Sequence, residues 1–215
     1  MPIIRLTMAA TALALTACAS MSPSDPPKPM SFFVTSTGGG NGANFGGLAG
    51  ADAHCQTLAE LAGAGQRTWR AYLSTNAATD GAVINARDRI GSGPWKNADG
   101  VVIANSVEQL HGNNNLTKQT ALTERGEVVN GRGDTPNQHD VLTGSTADGR
   151  AAEQTCGNWR LSGEGSAIVG HHDRTGLDES PPAKSWNASH PSRGCSRQAL
   201  VATGGAGLLY CFAIR

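Results

Sequence analysis

The sequence predicts an exported, loop-rich domain of short strands and one long helix, stapled by disulfides. Three observations predict it. The chain opens with a lipidation-type leader, four cysteines follow in a chain with only 5% aromatics, and short apolar runs alternate with glycine-rich or polar stretches.

The leader has a basic start at Arg5, an apolar stretch through Leu13 and Leu15, and the run Leu15-Thr16-Ala17-Cys18. That is the layout of a bacterial secretion signal with a lipobox. The apolar run is too short to span a bilayer, and small residues precede the cleavage point. Residues 1–17 are therefore read as a signal peptide and Cys18 as the lipidated first residue of the mature chain. Each buried methylene adds about 0.8 kcal/mol, and one acyl chain alone holds only marginally, so the three chains usual in such lipoproteins give a durable anchor. Ala19 stands where Asp would favour retention in the inner membrane, which points to the outer membrane of the cell envelope, facing the periplasm or the exterior. Residues 18–30 contain Pro23, Pro26, Pro27 and Pro29 and read as an extended Ser/Pro-rich tether. Residues 31–215 are enough for one domain with its own core.

Acidic and basic residues balance at 17 each, with no long run of one sign. That removes the basic field that a nucleic-acid partner would need. Glycine is abundant at 28 residues, and Asn, Ser and Thr crowd the middle of the chain, so the core is modest. Such a domain needs covalent help. Cys55, Cys156, Cys195 and Cys211 remain after Cys18, and an even number in an exported chain reads as two disulfides with three possible pairings. A zinc site at these thiols is not expected, because no C-x-x-C spacing is present.

The elements follow in order. Ser31 to Ser36 reads as a first strand. Gly38 to Gly50 is glycine-rich but holds neither a G-x-x-x-x-G-K pattern nor a clean G-x-G-x-x-G, so it is an irregular loop and not a phosphate cradle. Ala51 to Ala62 is the best helix: Cys55, Leu58, Leu61 and Ala62 recur at helical spacing, placing Cys55 on the buried face, and Gly63 and Gly65 end it. Trp69 to Ser74 alternates like a strand, with Trp69, Ala71 and Leu73 on one face. Val83 to Ile90 reads as a short helical turn, and Trp95 after Gly91-Ser92-Gly93-Pro94 as a core plug. Val101 to Ala104 is a further strand, Ser106 to Leu110 a helical turn capped by Ser106, and Thr120 to Val129 a hairpin about Arg125-Gly126. Val141 to Gly144 begins a strand-rich half, and Leu208 to Ile214 is the final strand. Two long polar stretches, Gly112 to Asp140 and Gly170 to Arg193, read as loops.

These stretches together carry a resemblance. Phe33-Val34-Thr35-Ser36, Gly46-Gly47-Leu48-Ala49-Gly50-Ala51-Asp52-Ala53 before Cys55, and Trp69-Arg70-Ala71-Tyr72-Leu73-Ser74 form its first half. Leu142-Thr143-Gly144-Ser145, Cys156-Gly157-Asn158-Trp159 and Gly204 through Phe212 form its second. In their order and spacing the chain resembles the bacterial endostatin-like, C-type-lectin-like surface lipoproteins over nearly all of 31–215. The resemblance implies an α+β fold with a mixed, mostly antiparallel sheet, one or two helices and long loops that carry binding. It also implies that the two chain ends pair in one sheet, that the disulfides are Cys55–Cys211 and Cys156–Cys195, and that the ligand is carbohydrate or an extracellular-matrix protein.

No cofactor or metal is assigned. Sugar-binding C-type lectins hold calcium through a Glu-Pro-Asn or Gln-Pro-Asp triplet and a Trp-Asn-Asp triplet; here Thr135-Pro136-Asn137 lacks the acid and Trp186-Asn187-Ala188 lacks the Asp. His171-His172-Asp173 is the densest ligand cluster. On a strand its two histidines would face opposite ways; on a loop they could share an ion, with further ligands such as His139 or His190. The expected role is loop hydrogen bonding, with Asp173 and Arg174 as a local ion pair. Ser166, His172 and Asp173 could be drawn as a hydrolase triad, but no G-x-S-x-G elbow marks a serine. A related fold hosts sulfatase-activating oxidases, which need free thiols that paired cysteines would not leave. Arg132-Gly133-Asp134 is the tripeptide that integrins read, here in a polar stretch whose default is a turn. Asn115-Leu116-Thr117 and Asn187-Ala188-Ser189 match the N-glycosylation pattern, which carries little weight in a bacterial lipoprotein. The expectation is a non-enzymatic, lipid-anchored binding module with no catalytic residues. Its two polar loops form the surface, Trp159 and Trp186 flank it, and Arg132, Asp134, His172, Asp173 and Arg174 supply polar contacts.

Overall fold

The computed structural model describes residues 29–77 and 83–214. Residues 1–17, read as a signal peptide, together with Cys18 and the expected tether up to residue 28, lie outside the described residues. No described helix is long and apolar enough to cross a membrane.

The organising element is the last strand, β8 (Gly205–Ala213), whose nine residues are almost all buried. Its alternation decides the architecture, because successive side chains of a strand point to opposite faces. Leu209, Cys211 and Ala213 enter one core, with Phe33, Leu58, Trp69, Leu142, Trp159 and Val169. Leu208, Tyr210 and Phe212 enter another, with Phe32, Tyr72, Trp95, Ile103, Val141 and Trp186. A near-continuous apolar run thus reads as a strand covered on both faces. β1 (Phe32–Val34) pairs antiparallel along β8, with Phe32 opposite Phe212 and Val34 opposite Tyr210. The two ends of the domain share one sheet, as expected. β2 (Trp69–Ala71) pairs antiparallel with Cys211 to Ala213 and makes its last bond to β8 from the Tyr72 N–H to the Tyr210 carbonyl at 2.8 Å, ending earlier than its alternation predicts. β3 (Trp95–Lys96) and β4 (Val102–Ala104) make a separate antiparallel pair, and Trp95 plugs the second core at 1% exposure.

The other half of the sheet positions the site. β5 (Asp140–Leu142) runs parallel to β8 and antiparallel to β6 (Ile168–His171), which pairs with the two-residue edge strand β7 (His190–Pro191). Sheet order is β1-β8-β5-β6-β7. Helix α1 (Leu48–Leu61) begins three residues before the expected Ala51 and buries Ala51, Cys55, Leu58 and Ala59. α2 (Val107–His111) is capped as expected, Ser106 Oγ accepting from the Gln109 N–H. The predicted hairpin about Arg125-Gly126 is present, closed by Thr123 N–H to the Glu127 carbonyl at 2.8 Å. α4 (Arg197–Thr203) feeds β8 through Gly204.

α3 (Cys156–Trp159) has no counterpart in the sequence pattern. It is a single left-handed turn, with φ of 48, 58, 54 and 67° at Cys156, Gly157, Asn158 and Trp159. Left-handed backbone costs an L-residue about 1–2 kcal/mol, so three non-glycine positions need strong support. Trp159 supplies it by burying completely and donating its indole N–H to the Ser74 carbonyl at 2.8 Å. The Asn158 side chain adds two bonds to the Asn76 backbone, its Oδ1 accepting from the N–H and its Nδ2 donating to the carbonyl, each at 3.0 Å. Two disulfides hold the whole: Cys55–Cys211 ties α1 to the middle of β8, and Cys156–Cys195 ties α3 to the approach of α4. The fold is α+β, and among the described residues every cysteine is bridged.

Candidate functional site

The two long polar stretches are not independent loops. Arg174 reaches from one into the other, donating through Nε to the Leu116 carbonyl at 3.0 Å and through Nη2 to Asn114 Oδ1 at 2.6 Å. Its third contact is the Lys184 carbonyl at 3.1 Å. The expected ion pair with Asp173 is therefore replaced: adjacent side chains diverge, and the guanidinium is committed to carbonyl and amide oxygens. Asp173 turns the other way and accepts from the Arg132 N–H at 2.6 Å and the Thr175 N–H at 3.0 Å. Burial pushes the Asp173 pKa up, but the His139 contact and these two N–H groups outweigh it and hold the carboxyl far below its ordinary value. His172 is fully buried and bonds the Asn130 carbonyl through Nε2 at 3.1 Å; burial pushes its pKa down.

The sequence-predicted contacts thus divide. Trp159, Trp186 and His172 are placed in the interior. Trp186 packs on Tyr72 and Tyr210, with ring centroids 4.8 and 5.2 Å away. Asp173 and Arg174 knit the two loops together. Asp134 accepts from the Gly131 N–H at 2.7 Å and pairs with Lys118, which holds its pKa below the ordinary value. Only Arg132 of the set is exposed. Ser166, drawn as the nucleophile, accepts through its backbone carbonyl from the Cys156 N–H and makes no hydrogen bond to His172 or Asp173.

Where the loops meet the sheet, a cleft of about 630 Å³ opens, lined among others by Arg132, His139, His171, Leu177, Asp178 and His190. Its floor is a cluster that strand register assembles. Asp140 is the partner of His171 across β5–β6, and His190 on β7 lies opposite Val169, two residues from His171. Asp140 Oδ1 is 3.2 Å from His171 Nε2, 3.3 Å from His139 Nε2 and 3.7 Å from His190 Nε2. His171 Nε2 and His190 Nε2 are 3.0 Å apart. The Asp140 side chain is 2% exposed, yet neither of its oxygens meets hydrogen-bond geometry with any partner. His139 stacks on His171 with centroids 4.2 Å apart and turns Nδ1 to within 3.5 Å of Asp173 Oδ1. Burial lowers the His171 pKa, but the contact and charge of Asp140 and the Ala183 carbonyl overcome it and leave the net value raised.

His171 and His172 do diverge, as strand geometry requires: one faces Asp140, the other Asn130. Asp140 escaped the sequence reading. His139-Asp140 before Val141-Leu142 places it at a strand start, but nothing local says which residue lies opposite. His139, Asp140 and His171 bring one donor atom each to within 4.8 Å of one another, an arrangement able to hold a cation. No protein-family model matches the chain, and no curated protein matches it.

Proposed function

We propose that this protein is a non-catalytic recognition domain, tethered by lipid at Cys18 to the bacterial outer membrane, on a C-type-lectin-like, endostatin-like variant of its α+β scaffold. The observation that carries the reading is the cleft whose walls are the two cross-bonded polar loops. Its volume of about 630 Å³ falls in the range of ligand sites. Its rim mixes exposed Arg132, Asp178 and Ser180 with Leu177, an apolar side chain 87% exposed. A rigid wall with a few polar groups beside an apolar one suits a sugar ring or an extended segment of a matrix protein. Calcium has no part in this reading. Asn187, which would be the Trp-Asn-Asp ligand, is buried, with its amide donating to Tyr72 Oη and the Thr146 and Ala147 carbonyls.

The test is retention on a glycan and matrix-protein array, with and without added calcium. Binding that is indifferent to calcium and falls at least about tenfold in Arg132→Ala, a loss of ~1.4 kcal/mol, supports the reading. No retained ligand, or retention unchanged in Arg132→Ala, refutes it. In cells, Cys18→Ser is expected to move the protein from the membrane to the soluble fraction.

A metal-dependent envelope enzyme is the second reading, favoured by the carboxylate and imidazoles on the cleft floor. Thiol chemistry has no support among the described residues, whose cysteines are all bridged. Adhesion through Arg132-Gly133-Asp134 is weakened by the inward engagement of Asp134 with Lys118 and the Gly131 N–H.

A further inference from the structure

The cluster on the cleft floor gathers electron-pair donors from three strands around one point. The Ala183 carbonyl lies 2.7 Å from His171 Nδ1 and can only accept, so the ring's proton sits on Nδ1. The same holds for His190, whose Nδ1 faces the Pro191 carbonyl at 3.2 Å. In the neutral rings both Nε2 atoms are therefore bare lone pairs. They point at each other across 3.0 Å and at Asp140 Oδ1 across 3.2 and 3.7 Å. Three acceptors gathered this closely, with the carboxylate sealed at 2% exposure, are relieved by a positive charge between them, either a proton on one Nε2 or a metal ion.

The spacing says which kind. A circle through three atoms separated by 3.0, 3.2 and 3.7 Å has a radius of about 1.9 Å. A point on its axis, about half an ångström or slightly more out of the plane, lies at the Zn–N and Zn–O distance of about 2.0–2.1 Å from all three. The outer contacts agree. Metal-bound histidines donate their other ring N–H to a carbonyl or carboxylate, which fixes the tautomer, and His171 and His190 both do so. Two imidazoles and a single carboxylate suit zinc and its neighbours, whereas calcium and magnesium want more oxygens.

We propose that Asp140, His171 and His190 form a zinc-class metal site on the cleft floor, with His139 stacked behind His171 as a positioning residue. The metal would join three strands at the edge where the sheet ends. The site stands apart from the recognition reading: the ion fixes the cleft floor whatever the cleft receives.

The test uses the full-length lipoprotein, extracted in detergent, stripped with chelator and titrated with zinc alone, with cobalt as a spectroscopic reporter of four-coordinate nitrogen and oxygen ligation. One zinc per chain is expected. His190→Gln, at a half-exposed position where folding is not at risk, and Asp140→Asn are each expected to weaken zinc binding at least about 100-fold. His54→Gln on α1 serves as the control and leaves it unchanged. Substoichiometric zinc in the wild type, equal affinity in wild type and His190→Gln, or equal weakening by His54→Gln overturns the proposal. Zinc binding with an empty ligand array would refute recognition and leave the metal site standing.

Discussion

Replacing Cys55 and Cys211 together by alanine is expected to cost the domain about 5 kcal/mol, and replacing Cys156 and Cys195 about 4 kcal/mol. The figures come from loop closure. The bridges close loops with sequence separations of 156 and 39, and the entropy removed from the unfolded chain grows with the logarithm of that length. All four sulfurs are essentially buried, so the packing lost with each pair is similar and the difference of ~1 kcal/mol belongs to the chain. Domains are stable by about 5–15 kcal/mol, so the first pair decides whether this one folds at all. The two losses also differ in kind. Cys55–Cys211 joins α1 to the strand that both cores share, and its removal weakens the whole. Cys156–Cys195 holds a left-handed turn that wants to relax, so its removal frees that turn first. Urea denaturation followed by tryptophan fluorescence measures the totals; amide exchange measures the order. In Cys156→Ala/Cys195→Ala, the Trp159 and Leu161 amides, bonded to the Thr155 and Cys156 carbonyls, are expected to exchange well before the strand amides of β8. A Cys55→Ala/Cys211→Ala variant that loses less than ~2 kcal/mol, or less than the other pair, refutes the reasoning.

Two further outcomes follow from close contacts. Gly170 on β6 lies so near the backbone of Trp186 that a methyl group would sit 1.8 Å from its carbonyl oxygen. Gly170→Ala is therefore expected to cost at least about 3 kcal/mol and to shift Trp186 fluorescence; a loss below ~1 kcal/mol in urea denaturation would show that the segment yields. His111 offers a pH dependence: its Nδ1–H meets the Val107 carbonyl at 2.7 Å, leaving Nε2 to accept from Tyr72 Oη at 2.7 Å. Burial pushes its pKa below the ordinary value, so the unfolded chain takes up the proton first and stability falls as pH drops below about 6.5. The melting temperature of the wild type is expected to drop more between pH 7.5 and 5.5 than that of His111→Gln; parallel curves would count against the assignment.

Much of the scaffold was legible because its signals are local. The apolar run from Leu208 announced the final strand, Ser106 marked a helix start, and cysteine parity announced two bridges. Their pairing came only through family resemblance and is as that resemblance implied. The site was legible only in pieces. His139, His171 and His190 were each noticed as possible ligands, but Asp140 was not, because the contact that gathers them is a strand register spanning about thirty residues of sequence. Trp159 and Trp186 looked like surface aromatics because they stand among polar residues. In the fold each is the inward anchor of its loop, holding the Ser74 carbonyl or packing on Tyr72 and Tyr210. The left-handed turn at Cys156 had no signal beyond Gly157, since its support comes from residues some eighty positions away.

The placement of the cluster has its own logic. Neither disulfide reaches the β5–β6–β7 edge: one binds α1 to β8, the other binds α3 to the approach of α4. β7 has only two residues and one neighbour, β6, so backbone pairing alone holds it weakly. Yet the segment ending there carries Leu177 to Ser180 and one wall of the cleft. A carboxylate sealed beneath that edge with both oxygens unpartnered is destabilising while it stays bare. It becomes stabilising when one cation bridges it to an imidazole on β6 and another on β7. On this argument a bound ion does for the cleft what sulfur does for the core, at the edge of the sheet that cysteine pairing leaves open.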